Sequence, residues 1–119
     1  GLIVVGVAAV LLLVLLLAAL HLFFLDGLDG VVLSILSDND QTYYAAGYSE
    51  SGFRRVRVGM LEEEALRLLG APLDRYVVRG TGDVAWKYAD QRMKGDHHVR
   101  VIIFSRGRVI ERMSSFYMD

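Results

Sequence analysis

The sequence predicts an α+β protein: one N-terminal transmembrane helix, then a small domain in which a short helix packs on an antiparallel sheet of three or four strands. Three observations carry this. Residues 1–25 hold no Asp, Glu, Lys or Arg and consist almost wholly of Leu, Val, Ala, Ile and Phe. Between Gly59 and Gly70 the apolar residues recur at helical spacing. Beyond Pro72, four runs rich in β-branched and aromatic residues are separated by glycine-containing turns.

The apolar run comes first. A helix rises about 1.5 Å per residue, so roughly 20 apolar residues cross a hydrocarbon core about 30 Å thick. Gly1 to Leu25 is long enough, with a little left for tilt. A signal peptide has a shorter apolar stretch, about 7 to 15 residues, closed by a small-x-small cleavage site. This run continues instead into Leu22, Phe23, Phe24 and Leu25. A retained single span is the expectation. His21, the one ionisable side chain in it, stands near the interface, which predicts a neutral, hydrogen-bonded or snorkelling role; contact with a neighbouring helix or a pigment is the other reading. Gly6, Ala8, Ala9, Ala18 and Ala19 leave room for close helix approach.

Orientation is read from the flank. From Asp26 to Gly52 there are five acids and no Lys or Arg. Cytoplasmic flanks carry the Lys and Arg excess, so this side is expected to be the translocated one and the domain periplasmic. After Gly52 the balance turns to 13 bases against nine acids, about +4. That mild charge suits an anionic surface and falls short of a nucleic-acid footprint, so no nucleic-acid partner is expected. The absence of cysteine excludes disulfides, zinc-thiolate sites, a thiol nucleophile and an acylated Cys anchor within these residues.

Residues 26–52 are expected to connect span and domain. Leu28, Val31, Val32, Leu33, Ile35 and Leu36 make the first part too apolar for a free linker, and it reads as an interfacial segment or as packing against a partner. Asp38, Asn39 and Asp40 break it. The spacing of Tyr43, Tyr44 and Tyr48 suits one helical face, either as part of an aromatic belt or as domain core.

Residues 53–119 form the expected domain. A turn at Gly59 leads into a helix whose first turn holds Glu62, Glu63 and Glu64, complementing the positive end of the helix dipole. Met60, Ala65, Leu68 and Leu69 supply its buried face, Gly70 closes it, and Pro72 prevents its continuation. The strands are Tyr76 to Val78, Val84 to Tyr88, Val99 to Phe104 and Val109 to Met113, with Trp86 and Tyr88 sharing a face with Val84, Val101 and Ile103 sharing a face of their own strand, and both faces expected to be buried. The helix is expected to cover one side of the sheet and leave Arg-rich faces wet.

Catalytic readings find little support. Adjacent His97 and His98 point to opposite faces of a strand and would not share a metal ion without distortion. Gly80-Thr81-Gly82-Asp83 lacks the Lys and following helix of a phosphate loop and reads as a turn. No catalytic residue, metal or cofactor is assigned, and no small-molecule substrate is evident.

Gly59-Met60, the helix with Glu64, Leu69-Gly70-Ala71-Pro72, Trp86-Lys87-Tyr88, Ile103-Phe104 and Gly107-Arg108-Val109 together resemble the BamE-like (SmpA/OmlA) domain over about residues 53–113. Leu61 departs from the Thr or Ser cap usual there, and an apolar helix replaces the family's lipidated Cys. The resemblance implies a non-catalytic extracytoplasmic adaptor whose structural motif is Gly59, Met60, Leu69, Gly70, Pro72, Trp86, Tyr88, Phe104 and Gly107. A helical anchor places such a domain in the bacterial inner membrane, because outer-membrane spans are normally barrels. The expected function is an accessory subunit of a photosynthetic, respiratory or transport complex, with the bilayer and other transmembrane subunits as partners. The alternative is an envelope-assembly adaptor or sensor module binding a soluble client or lipid.

Overall fold

A computed structural model describes residues 1–37 and 40–118. The chain is α+β, with an N-terminal apolar helix, α1 (Leu2–Phe23), long and apolar enough to cross a membrane and with no buried residue. After a turn at Phe24 to Asp26 comes α2 (Gly27–Leu36), then β1 (Thr42–Tyr44), α3 (Glu50–Arg55) and α4 (Glu62–Leu69). The remainder is β2 (Asp74–Val77), β3 (Val84–Lys87), β4 (Ala89–Gln91), β5 (His97–Ser105) and β6 (Arg108–Tyr117). Four strands form one antiparallel sheet in the order β2-β3-β5-β6, and β1 pairs with β4 in a second, two-stranded sheet.

Residues 27–36 are helical because nothing in them stops a helix until Ser37, and the small residues of one stripe let the helix approach the sheet. Gly27 and Gly30 are buried; Gly30 lies beside Phe116, and a Cβ there would stand 2.7 Å from Asp26 Cβ, too close for the turn that precedes α2. Val32, Leu33, Ile35 and Leu36 face outward. Asp38 and Asn39 lie outside the described residues; Asp40 accepts from the Thr42 backbone N–H at 2.9 Å and from its hydroxyl, the side-chain turn expected of an Asx residue.

The tyrosines do not share a helical face. Tyr43 and Tyr44 lie in β1, held by pairing with Asp90 and Ala89, and Tyr48 follows a turn and stacks on Tyr44 with ring centroids 4.9 Å apart. Pairing with a strand far along the chain overrides the local spacing.

α4 covers one face of the larger sheet. Ala65 and Leu69 from the helix meet Phe53 and Val56, and these pack on Trp86, Tyr88, Ile102, Phe104 and Val109. Met60 and Leu68 are partly buried at the edge of this core. Gly59 takes φ +91°, and its N–H donates to Val109 O at 2.7 Å, while Glu62 N–H donates to Gly107 O at 3.2 Å. The Gly59-Met60 turn and the Gly107-Arg108-Val109 hairpin, 48 residues apart at their glycines, are therefore one structural unit.

Gly70 ends α4 at φ +70°, and its carbonyl accepts the fully buried Tyr88 hydroxyl at 2.9 Å. Burial pushes the Tyr88 phenol up to about 12, so it stays a donor at any ordinary pH. Tyr88→Phe is expected to cost about 0.5–1.5 kcal/mol, the net worth of one such bond. Denaturant unfolding of both proteins in the same detergent checks this.

The face opposite α4 differs from expectation. Arg100 and Arg112 lie on the helix-covered side, alternating with Ile102 and Phe104, and Arg100 is 2 % exposed. Val101 and Ile103, expected to face the helix, lie on the other side with Tyr76, Met113 and Tyr117, because Ile102 and Phe104 are the residues that pair across from Trp86 and Val84. Arg100 tolerates burial because carboxylates outside the sheet reach it.

Candidate functional site at the foot of the apolar helix

Three residues past α1, Asp26 turns into the domain, its side chain 7 % exposed. Arg100 Nη1 donates to its Oδ1 at 2.5 Å and Nη2 to its Oδ2 at 3.0 Å, the two-pronged geometry that guanidinium and carboxylate share. His98, two residues earlier on β5 and on the same face, donates from Nδ1 to Asp26 Oδ2 at 2.7 Å. Arg100 also donates from Nε to Tyr48 Oη at 3.0 Å and to Glu50 Oε1 at 3.2 Å. The Tyr48 hydroxyl donates in turn to Glu50. Strand β5, helix α3 and the segment after α1 are thus tied at one point.

Burial by itself would raise the Asp26 carboxyl. Hydrogen bonds from His98 and Arg100, with the Arg100 charge, outweigh it and hold the group at about 2 against an ordinary 3.8. Tyr48 is pushed well above its usual range, first by burial and then by the neighbouring Glu50. Because the folded Asp26 value lies below the unfolded one, its stabilisation is fully present above about pH 4 and is lost as pH falls towards 2. Unfolding midpoints measured between those limits should fall more steeply for the wild type than for Asp26→Asn.

These side chains line a cleft of about 430 Å³ together with Tyr44 and Ser49. His98 Nε2 also stands 3.3 Å from Ser34 Oγ and 3.4 Å from Asp40 Oδ2. Carboxylate, imidazole and hydroxyl so placed match an acyl-transfer triad in outline. Ser34, however, sits within α2, faces β5 and does not line this cleft, and the carboxylate is already shared with Arg100. The same network clamps α2 and the stretch before β1 onto the sheet.

The segment between α1 and α2 has further ties. Ser114 on β6 donates its hydroxyl to Leu25 O. Leu28 N–H donates to His21 Nδ1 at 2.9 Å, which makes that nitrogen the unprotonated acceptor of a neutral ring and puts His21 at the turn between two helices.

The residues singled out in the sequence fall elsewhere. Gly59, Met60 and Gly107 form the turn-and-hairpin unit, Leu69 and Gly70 the end of α4, and Trp86, Tyr88 and Phe104 the core; Pro72 follows α4 by three residues. His97 and His98 face opposite sides: the His97 ring lies tilted against Tyr117, centroids 5.3 Å apart, and the His98 ring tilted against Phe116 at 4.7 Å. Among the described residues no group of three or more His, Asp or Glu is placed to hold a metal ion.

Asp26, Tyr48, Glu50, His98 and Arg100 were not legible as a group. The available cue was parity: His98, Arg100, Ile102 and Phe104 share one face of a strand, so a core-facing Arg required a carboxylate, and the acid-rich, base-free stretch from Asp26 to Glu50 held the candidates. No protein-family model, curated protein or solved structure matches this chain.

Proposed function

We propose that the protein is a non-catalytic scaffold subunit of a bacterial inner-membrane complex, photosynthetic, respiratory or transport-related, with a BamE-like domain on the extracytoplasmic side. The observation that carries this reading is the junction at Asp26. Arg100 and His98 on the sheet grip Asp26, three residues past the apolar helix, and Ser114 holds the Leu25 carbonyl, so helix and domain move as one body. A domain acting alone needs no fixed angle to the bilayer. A subunit that contacts partners both within and above the membrane does. The open length of α1 and the outward apolar face of α2 offer the contact within, and the acidic flank with no Lys or Arg supports placement outside the cytoplasm.

The test is purification of the tagged full chain from its native membrane in mild detergent. Co-migration with integral-membrane proteins at fixed stoichiometry is expected. A monomer running alone would end the subunit reading. A reporter fused at the C-terminus should be active in the periplasm, and activity in the cytoplasm would reverse the orientation.

A further inference from the structure

Helix α2 carries its polarity the wrong way round for a helix in water. Gly27, Gly30 and Ser34, three and four residues apart, turn to the domain: Gly30 lies beside Phe116, and Ser34 Oγ stands 3.3 Å from His98 Nε2. The other side holds Val32, Leu33, Ile35 and Leu36, with Ile35 77 % and Leu36 74 % exposed. A surface helix of a soluble domain buries its apolar stripe and wets the polar one. The outward stripe of α2 therefore calls for an apolar medium.

Its place in the fold says which medium. Residues 24–26 join α1 to α2, and Leu28 N–H donates to His21 Nδ1 at 2.9 Å, so α2 starts at the level where α1 ends. A cleft of about 530 Å³ lies in the angle between the two helices, lined by His21 from α1 and by Leu28, Asp29, Val32 and Leu33 from α2. The stripe thus looks back toward α1 and continues its open apolar surface past Leu22 and Phe23. At about 1.5 Å per residue α2 is about 15 Å long, too short to cross a hydrocarbon core of about 30 Å. The grip of Arg100 and His98 on Asp26 holds its start at the end of α1. A straight partner helix packed along α1 would part from α2 at this turn, whereas lipid follows both.

We propose that α2 lies in the interfacial layer of the bilayer, with Val32, Leu33, Ile35 and Leu36 among the upper parts of the acyl chains. The assignment rests on α1 being a span, which belongs to the function proposed above, and it divides the two apolar surfaces named there: α1 stays with the partner subunits and α2 goes to lipid. Asp29, the one charged residue of α2, stands in its first turn, 3.6 Å from His21 Nδ1, at the level of the headgroups. No Lys or Arg lies between Asp26 and Gly52, so α2 is held by apolar contact and phosphatidylcholine alone is enough. Through Gly30 and Ser34 the helix brings the neighbouring ends of β5 and β6 to the membrane surface.

The chain has no cysteine, so single spin-labelled cysteines enter without background. Val32→Cys, Ile35→Cys and Leu36→Cys report on α2, Leu13→Cys on α1, and Arg79→Cys on the β2–β3 turn at the far edge of the sheet. Collision rates with oxygen, which concentrates among acyl chains, and with a water-soluble nickel chelate give the depth of each label. They are read in the full chain reconstituted in phosphatidylcholine vesicles and again in the native membrane.

The α2 labels are expected to be open to oxygen and shielded from nickel in both, about 5–10 Å into the boundary between headgroups and acyl chains. Leu13 should lie near the mid-plane and Arg79 in water. Labels on α2 as open to nickel as Arg79 would overturn the proposal. So would α2 labels closed to both reagents in either membrane, which gives the stripe to a protein neighbour, or labels that enter the acyl region only when anionic lipid is added. Leu13 open to nickel defeats the span and this proposal together, whereas Leu13 at the mid-plane with the α2 labels in water defeats the α2 assignment alone. Adding Ile35→Asp and Leu36→Asp should shift the Val32 label to the aqueous reading and leave Leu13 at the mid-plane. The single-label readings decide even where that variant folds poorly.

Discussion

Arg100→Ala is expected to destabilise the folded domain by about 3–5 kcal/mol, the loss typical of removing one partner from a buried ion pair. The side chain is 2 % exposed and donates to Asp26, Glu50, Tyr48 and the Val99 carbonyl. Truncation leaves the Asp26 carboxylate, itself 7 % exposed, with His98 as its remaining side-chain hydrogen-bond partner. Glu50 is 43 % exposed and can turn to water, so the damage is concentrated at Asp26. A control follows from the same physics. Replacing both partners with apolar residues, Asp26→Leu with Arg100→Met, should be milder than Arg100→Met alone, because no charge is stranded. Denaturant unfolding of the full chain in detergent measures the set. A single-variant loss below about 1 kcal/mol would put the network among exposed ion pairs of little worth.

Trp86→Ala should have an effect of the same size, by a different route. The indole is 5 % exposed, its ring centroid is 4.4 Å from that of Phe104, and Arg75 lies 4.8 Å from it on the outer side. Its removal opens a cavity between α4 and the sheet, and large aromatic truncations in cores cost about 3–5 kcal/mol. Trp86→Phe should recover a large part of this. If Trp86→Ala cost less than about 1 kcal/mol, the indole would be a surface contact and the core would lie elsewhere.

Local chemistry explains which features could be read in advance. Helix α4 has three glutamates at its start, an apolar stripe and Gly70 at its end, all within one short stretch. The strands β3, β5 and β6 carry β-branched and aromatic residues over their own lengths. Pairing of β1 with β4 was not readable, because three polar-to-aromatic residues gain strand geometry from a partner more than 40 residues away. The Arg100 network failed to show for the same reason: Asp26 and Arg100 are 74 residues apart, and no local pattern links them. Charge alone suggests a wet face for Arg100 and hence a buried one for Val101 and Ile103; the carboxylates after α1 reverse that, and Arg100 goes inward with Ile102 and Phe104.

Everything proposed for this protein depends on helix and domain forming one body through Asp26. Spin labels placed at Leu13, on the exposed surface of α1, and at Arg106, in the β5–β6 turn, report that geometry in the full chain reconstituted in bilayers. The distance distribution at neutral pH is expected to be narrow in the wild type and to broaden in Arg100→Met while the domain remains folded by circular dichroism. A distribution already broad in the wild type, or one left narrow by Arg100→Met, would contradict the junction as the element that holds the domain on its helix.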